Sequence, residues 1–140
     1  MKAETPMMAA EVPHGFDFNG TGATLLVDKP AGWTSFDVVR TLRTRYGIRK
    51  IGHAGTLDPM ATGLLILCTG PLTKSIGRFM DLEKEYSGTF ELGLLTPSYD
   101  TETEVVERRD TGAVTEENVR TAVGRFVGLQ NQLPPMYSAV

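Results

Sequence analysis

The sequence predicts an α+β domain, on three patterns. Residues 64–68, Leu-Leu-Ile-Leu-Cys, form an apolar run with the length of a buried strand. Residues 86–94 alternate in period two, with Tyr86, Gly88, Phe90, Leu92 and Leu94 on one face. Two further stretches carry apolar residues at helical spacing: Val38, Val39, Leu42 and Tyr46, then Val119, Ala122, Val123 and Phe126.

In chain order, residues 1–22 hold three Met, two Pro and little periodicity, which predicts a mobile or weakly docked tail. Residues 23–140 then form the structured part, opening with a short apolar strand at 23–28. Lys29-Pro30-Ala31-Gly32 is turn chemistry: Pro presets φ and Gly permits a reversal. Ser35 reads as the N-cap of a helix through about Tyr46, with Gly47 as its stop. Residues 52–63 form a loop rich in Gly and Thr that contains an Asp-Pro step. After the 64–68 strand, residues 69–80 hold a turn and a short helix, 86–94 a strand, and 97–103 a polar loop. Thr115 caps the last helix, and Leu133-Pro134-Pro135 ends regular structure. The chain stops at Val140 with nothing closing that segment, so it reads as interrupted.

The bulk numbers bound the function. A hydrophobic fraction of 41% and a charged fraction of 22% exclude wholesale disorder and fit about one domain in 140 residues. No apolar run approaches the roughly 18 residues of a membrane helix, and the N-terminus has no charged-then-apolar signal pattern. Cys68 is the single cysteine, so no disulfide forms within the chain, and its place in an apolar run reads as a small buried hydrophobe. His14, His53 and Cys68 are the only soft ligands and lack zinc-site spacing, so no metal is expected. A reducing cytoplasm fits all of this.

The net charge of -3 is unevenly spread. From Lys29 to Met80 there are eight basic residues (Lys29, Arg40, Arg43, Arg45, Arg49, Lys50, Lys74 and Arg78) against Asp37 and Asp58, a local +6. Arg40, Arg43 and Arg45 project away from the apolar stripe of the first helix, and Arg49 and Lys50 follow it. The resulting rim is either a phosphate-binding surface or a solvated helix face.

No Walker loop, GxSxG elbow or GxGxxG motif is present. Attention therefore falls on Gly52-His53-Ala54-Gly55-Thr56-Leu57-Asp58-Pro59. Gly52 and Gly55 allow a close ligand approach or unusual φ. Pro59 biases Asp58 toward an extended backbone that presents its carboxylate. On spacing alone, an ordinary Asp-Pro turn is the stronger reading.

That run, continued through Met60-Ala61-Thr62-Gly63, closely resembles the signature of the TruB family of pseudouridine synthases. Leu26-Val27-Asp28-Lys29-Pro30-Ala31-Gly32-Trp33-Thr34-Ser35 resembles that family's first motif. Lys84-Glu85-Tyr86 resembles its Lys-x-Tyr element, and Pro134-Pro135-Met136-Tyr137-Ser138-Ala139 a further one. The RNA-guided dyskerin group shares Gly-Thr-Leu-Asp-Pro but usually differs at the positions of Met60 and Ala61. Leu72, Pro97 and Thr103 depart from the family pattern.

The resemblance implies part of the pseudouridine synthase catalytic fold, a mixed, largely antiparallel sheet flanked by helices, truncated before its second half. It implies conversion of uridine to pseudouridine in the T-arm stem-loop of tRNA, with Asp58 as the catalytic carboxylate and no cofactor or metal. Tyr86 would lie against the uracil, and His53 would hold the opened RNA. Lys29, Arg40, Arg43, Arg49 and Lys50 would contact RNA, Lys29 also supporting the turn beside the site. tRNA is the one partner implied, with no membrane, no protein partner and a monomer when full length. The missing half would supply a basic partner for Asp58, so the 140-residue chain alone is expected to be inactive. Three other readings stand: an RNA-binding or remodelling module without catalysis, an RNA-guided subunit, and a nucleoside hydrolase.

Overall fold

The computed structural model describes residues 7–8 and 13–131 and divides into two compact units, Met1–Glu85 and Tyr86–Val140. The motif at 134–139 lies outside the described residues.

The first unit is built on strands β1 (Met7–Met8), β2 (Thr24–Lys29), β3 (Ile51–His53) and β4 (Gly63–Thr69), in spatial order β1-β2-β4-β3. Every pairing among them is antiparallel. β2 alternates cleanly: Leu25, Val27 and Lys29 are buried, while Thr24, Leu26 and Asp28 face outward. Its register sets Leu25 opposite Leu67 and Val27 opposite Leu65, so two strands supply one continuous apolar face. Helix α1 (Ser35–Tyr46) lays Val38, Val39 and Leu42 against that face, with Ile48 and Ile51 closing the layer. Leu67 sits at its centre, fully buried. Leu67→Ala is expected to cost about 2–5 kcal/mol, read as a lower urea midpoint with unchanged slope.

The helix start differs by one residue from the sequence expectation. Thr34, not Ser35, is the N-cap: its side chain accepts from Asp37 N–H, and the Asp37 carboxylate accepts from Thr34 N–H, both at 3.0 Å. This reciprocal box needs an acceptor three residues after the cap, and Asp37 holds that place for Thr34. Ser35 is committed elsewhere, as shown below. Gly47 ends the helix at φ 61°, its N–H bonded to Arg43 O.

Packing against the core also begins before Ala23. Phe18 is 4% exposed within the core and packs 5.5 Å from the Tyr46 ring. The Asn19 side chain donates to Gly47 O and accepts from Arg49 N–H, tying residues 13–22 to the far end of α1. A single core aromatic has no periodicity, so the sequence carries no signal for it. Beyond β4 the chain makes a 3-10 turn, Gly70–Ser75, and the short helix α2 (Ile76–Met80), as the sequence predicts.

The second unit holds a two-stranded ladder, β5 (Leu94–Leu95) against β6 (Glu107–Arg108), and helix α3 (Glu116–Gly124) capped by Thr115. The 97–103 loop is held by Thr96 Oγ1 donating to Asp100 O and by Glu102 N–H donating to the Asp100 carboxylate. The predicted strand at 86–94 is a correction: only Leu94 belongs to a strand, and Phe90 is 91% exposed. Alternation assigns side chains to faces but provides no hydrogen-bond partner. Among the described residues no strand ladder includes 86–93, and Gly93 O accepts only an isolated bond from Arg109 N–H beyond the end of β6. α3 also stops before Phe126, which is exposed.

Candidate active site

The Asp58 loop runs from the end of β3 to the start of β4. Its first turn is set by His53. Ala54 N–H donates to Ile66 O, and His53 Nδ1 lies 2.7 Å from Gly55 O. A carbonyl only accepts, so Nδ1 carries the proton and Nε2 is left to meet a ligand. Gly55 needs its φ of 99° to make this turn. Gly52 has a different reason from the one expected: a Cβ there would stand 2.8 Å from Ile76 Cδ1, so it makes room for α2.

The residues flanking Asp58 are fastened to the first motif. On one side, buried Ser35 accepts a hydrogen bond from Leu57 N–H at 3.0 Å and donates to Leu57 O at 3.2 Å. On the other, Pro59 O accepts from Gly32 N–H at 2.7 Å and from Lys29 Nζ at 3.3 Å. The Asp58 carbonyl accepts from Ala61 N–H. Asp58 itself is exposed, and among the described residues its carboxylate makes no hydrogen bond or ion pair. The backbone is thus held while the carboxylate stays free of described partners.

Lys29 is 0% exposed, which corrects its place among the RNA-binding residues. Its ammonium donates to Pro30 O, Trp33 O and Pro59 O. Three donors meet three acceptors, leaving none for a phosphate. Burial pushes its pKa down, and the negative charge of Asp58 pulls it up. Lys29 is therefore the buttress of the loop, the supporting part of the role read from sequence.

The structure separates the rim from Asp58. Asp58 is tied to the first turn of α1 through Ser35 and to the end of β2 through Lys29. Arg43, Arg45, Arg49 and Lys50 cluster at the opposite end, where Gly70 N–H donates to Lys50 O. The 12 residues of α1 put roughly 17 Å between these ends. Arg40 pairs with Asp37 at 2.6 Å, and Arg45 lies over the Tyr46 ring. Tyr86 opens the second unit and is 73% exposed.

Sequence reasoning missed Ser35 as a fastener of the Asp58 loop. Its one available signal is a second hydroxyl beside a Thr already suited to capping. No cluster of three His, Cys, Asp or Glu residues capable of holding a metal occurs among the described residues. None of the described helices is long and apolar enough to cross a membrane.

Comparison with known proteins adds to this geometry. Residues 43–140 match the model of the TruB family pseudouridylate synthase (N terminal domain), a span that includes Asp58 and begins after the 26–35 motif. A tRNA pseudouridine synthase B of Chloroherpeton thalassium is 53% identical over 122 residues, covering 84% of this chain and 51% of that protein. The enzyme of the same name from Chlorobaculum tepidum is 51% identical over 123 residues, covering 85% and 51%. That of Flavobacterium johnsoniae is 46% identical over 126 residues, covering 85% and 55%. The chain spans about half the length of the curated relatives it matches. With its family-model match and these identities across most of its length, the chain belongs to the TruB pseudouridylate synthase family, in the N-terminal domain.

Proposed function

We propose that this chain forms the Asp58-bearing part of an enzyme that isomerises uridine to pseudouridine in the T-arm of tRNA. One observation carries the reading: an exposed carboxylate whose flanking residues are pinned on both sides, inside the family-matched region. The names of the relatives support tRNA as the substrate over an RNA-guided subunit. On this reading the fold is part of the pseudouridine synthase catalytic fold, and the enzyme acts as a cytoplasmic monomer.

The reaction breaks the N-glycosidic bond, turns the uracil and joins its C5 to C1′, with release of the C5 proton. No atom or electron is gained overall, so the chemistry calls for no cofactor. Positive charge builds on the sugar as the bond opens, which suits a facing carboxylate. Asp58 acts either by attacking C1′ or by promoting loss of the C2′ proton to a glycal-like intermediate. The target nucleotide must leave its stack, at a cost of a few kcal/mol. His53 Nε2 holds the opened loop, and Tyr86 lies against the extruded uracil.

Arg43, Arg49 and Lys50, with Arg40 at their margin, bind the RNA backbone away from the reacting base. Replacing Arg43 and Lys50 together by Ala is expected to weaken tRNA binding and to reduce its salt slope by about 0.7–0.9 per lost phosphate contact. The single-turnover rate at saturating tRNA should barely change, because Asp58 is fastened to the start of α1 while these residues lie toward and beyond its other end. An unchanged salt slope in filter binding makes the rim a solvated helix face. The central test is tritium release from C5-tritiated uridine in a tRNA transcript, comparing the intact protein with its Asp58→Asn variant. Free uracil among the products would instead indicate a hydrolase.

A further inference from the structure

Asp58 is exposed while its neighbour Leu57 packs against the core. Successive side chains fall on opposite sides only where the backbone is extended. Two devices keep it so. Pro59 restricts Asp58 directly. Ser35 restricts Leu57, because one hydroxyl bonds both its N–H and its C=O, and these face the same way only in an extended residue. Ser35 is itself fixed in the first turn of α1 and 2% exposed, so the hydroxyl has little freedom to follow a shifted loop. The contact spans 22 residues of sequence and joins the helix start to the catalytic loop.

We propose that Ser35 is a positioning residue for Asp58, holding Leu57 extended so that the carboxylate is turned out toward the substrate. This rests on Asp58 being the catalytic group. Without the hydroxyl, the Leu57 peptide groups seek other partners and Asp58 samples orientations that miss the sugar. A misplacement of about 1 Å can cost on the order of 10²-fold in rate.

The test compares Ser35→Ala, Ser35→Cys and Asp58→Asn in the intact protein, with Val38→Ala as a control. Val38 is buried on the same helix and makes no hydrogen bond to the Asp58 loop, so its variant reports on lost packing without loss of the Ser35 contact. Ser35→Ala is expected to lower the single-turnover rate by about 10²-fold while the tRNA Kd stays within about threefold. Ser35→Cys, nearly equal in volume with a weaker donor and acceptor, should recover part of that rate. Val38→Ala should lower the thermal midpoint and leave the rate unchanged. A folded Ser35→Ala variant within about threefold of the parent rate overturns the inference. So does a rate loss that Val38→Ala reproduces at equal thermal destabilisation. If Ser35→Ala does not fold, Ser35→Cys decides by the same criterion, a full rate overturning it. If Asp58→Asn is active, the functional reading fails; if it is dead while Ser35→Ala is fully active, only the positioning role fails.

Discussion

Asp58→Asn in the intact protein is expected to lower pseudouridine formation by at least about 10⁴-fold, the scale on which enzymes lose rate when a reacting group is removed. The substitution keeps size and shape but removes the carboxylate that, on the proposed reading, either attacks C1′ or promotes loss of the C2′ proton. The fold should tolerate it. Asp58 is exposed, and its carboxylate bonds to no described residue, so the stability change should stay within about 0.5 kcal/mol. Its one structural effect is electrostatic. Loss of the Asp58 charge removes what pulls the Lys29 pKa up, leaving burial to press on the ammonium unopposed. tRNA affinity should survive, since the basic rim stands at the other end of α1. Tritium release at the parent rate by this variant would sink the assignment. A dead variant that kept every biological activity would point to an RNA-remodelling module instead.

A second large effect, this one on the fold, is expected from Lys29→Met. Met fills much of the aliphatic volume but withdraws the donor that serves Pro30 O, Trp33 O and Pro59 O. Hydrogen bonds to a charged group contribute about 1.5–3 kcal/mol each, and desolvation of the ammonium offsets part of their sum. A net loss of roughly 2–4 kcal/mol follows, read as a drop in the urea midpoint. Pro59 keeps the Gly32 N–H, so the loop should loosen rather than detach. Amide exchange at Ala61, whose N–H is held by Asp58 O, should therefore accelerate more than exchange in β4. Unchanged stability would mean that burying the charge costs as much as its three bonds return.

Much of this fold was legible in the chain itself. The apolar run at 64–68 became β4, the helical spacing from Val38 to Tyr46 became α1, and Gly47 stopped it through a left-handed cap. Those signals are local: side-chain period, a cap and a permitted φ are settled within a few residues. The ordered motifs likewise pointed to the family that the comparisons establish. The 86–94 alternation was equally clear but is mostly not a strand, because a strand depends on a ladder partner as well as on its own pattern.

The Asp58 site divides along the same line. Sequence alone determined that Asp58 precedes a proline, and hence that its backbone is biased toward an extended conformation. It also determined that Gly and Thr surround it and that positive charge gathers nearby. Only the tertiary structure decided that Lys29 faces inward onto carbonyls, that Ser35 holds Leu57 instead of capping a helix, and that the rim occupies the opposite end of α1. The deciding hydrogen bonds join residues 22 and 30 apart in sequence. Whether a hydroxyl or an ammonium meets solvent, phosphate or a distant carbonyl is set by which segments the packed core brings together, and local spacing carries no record of that.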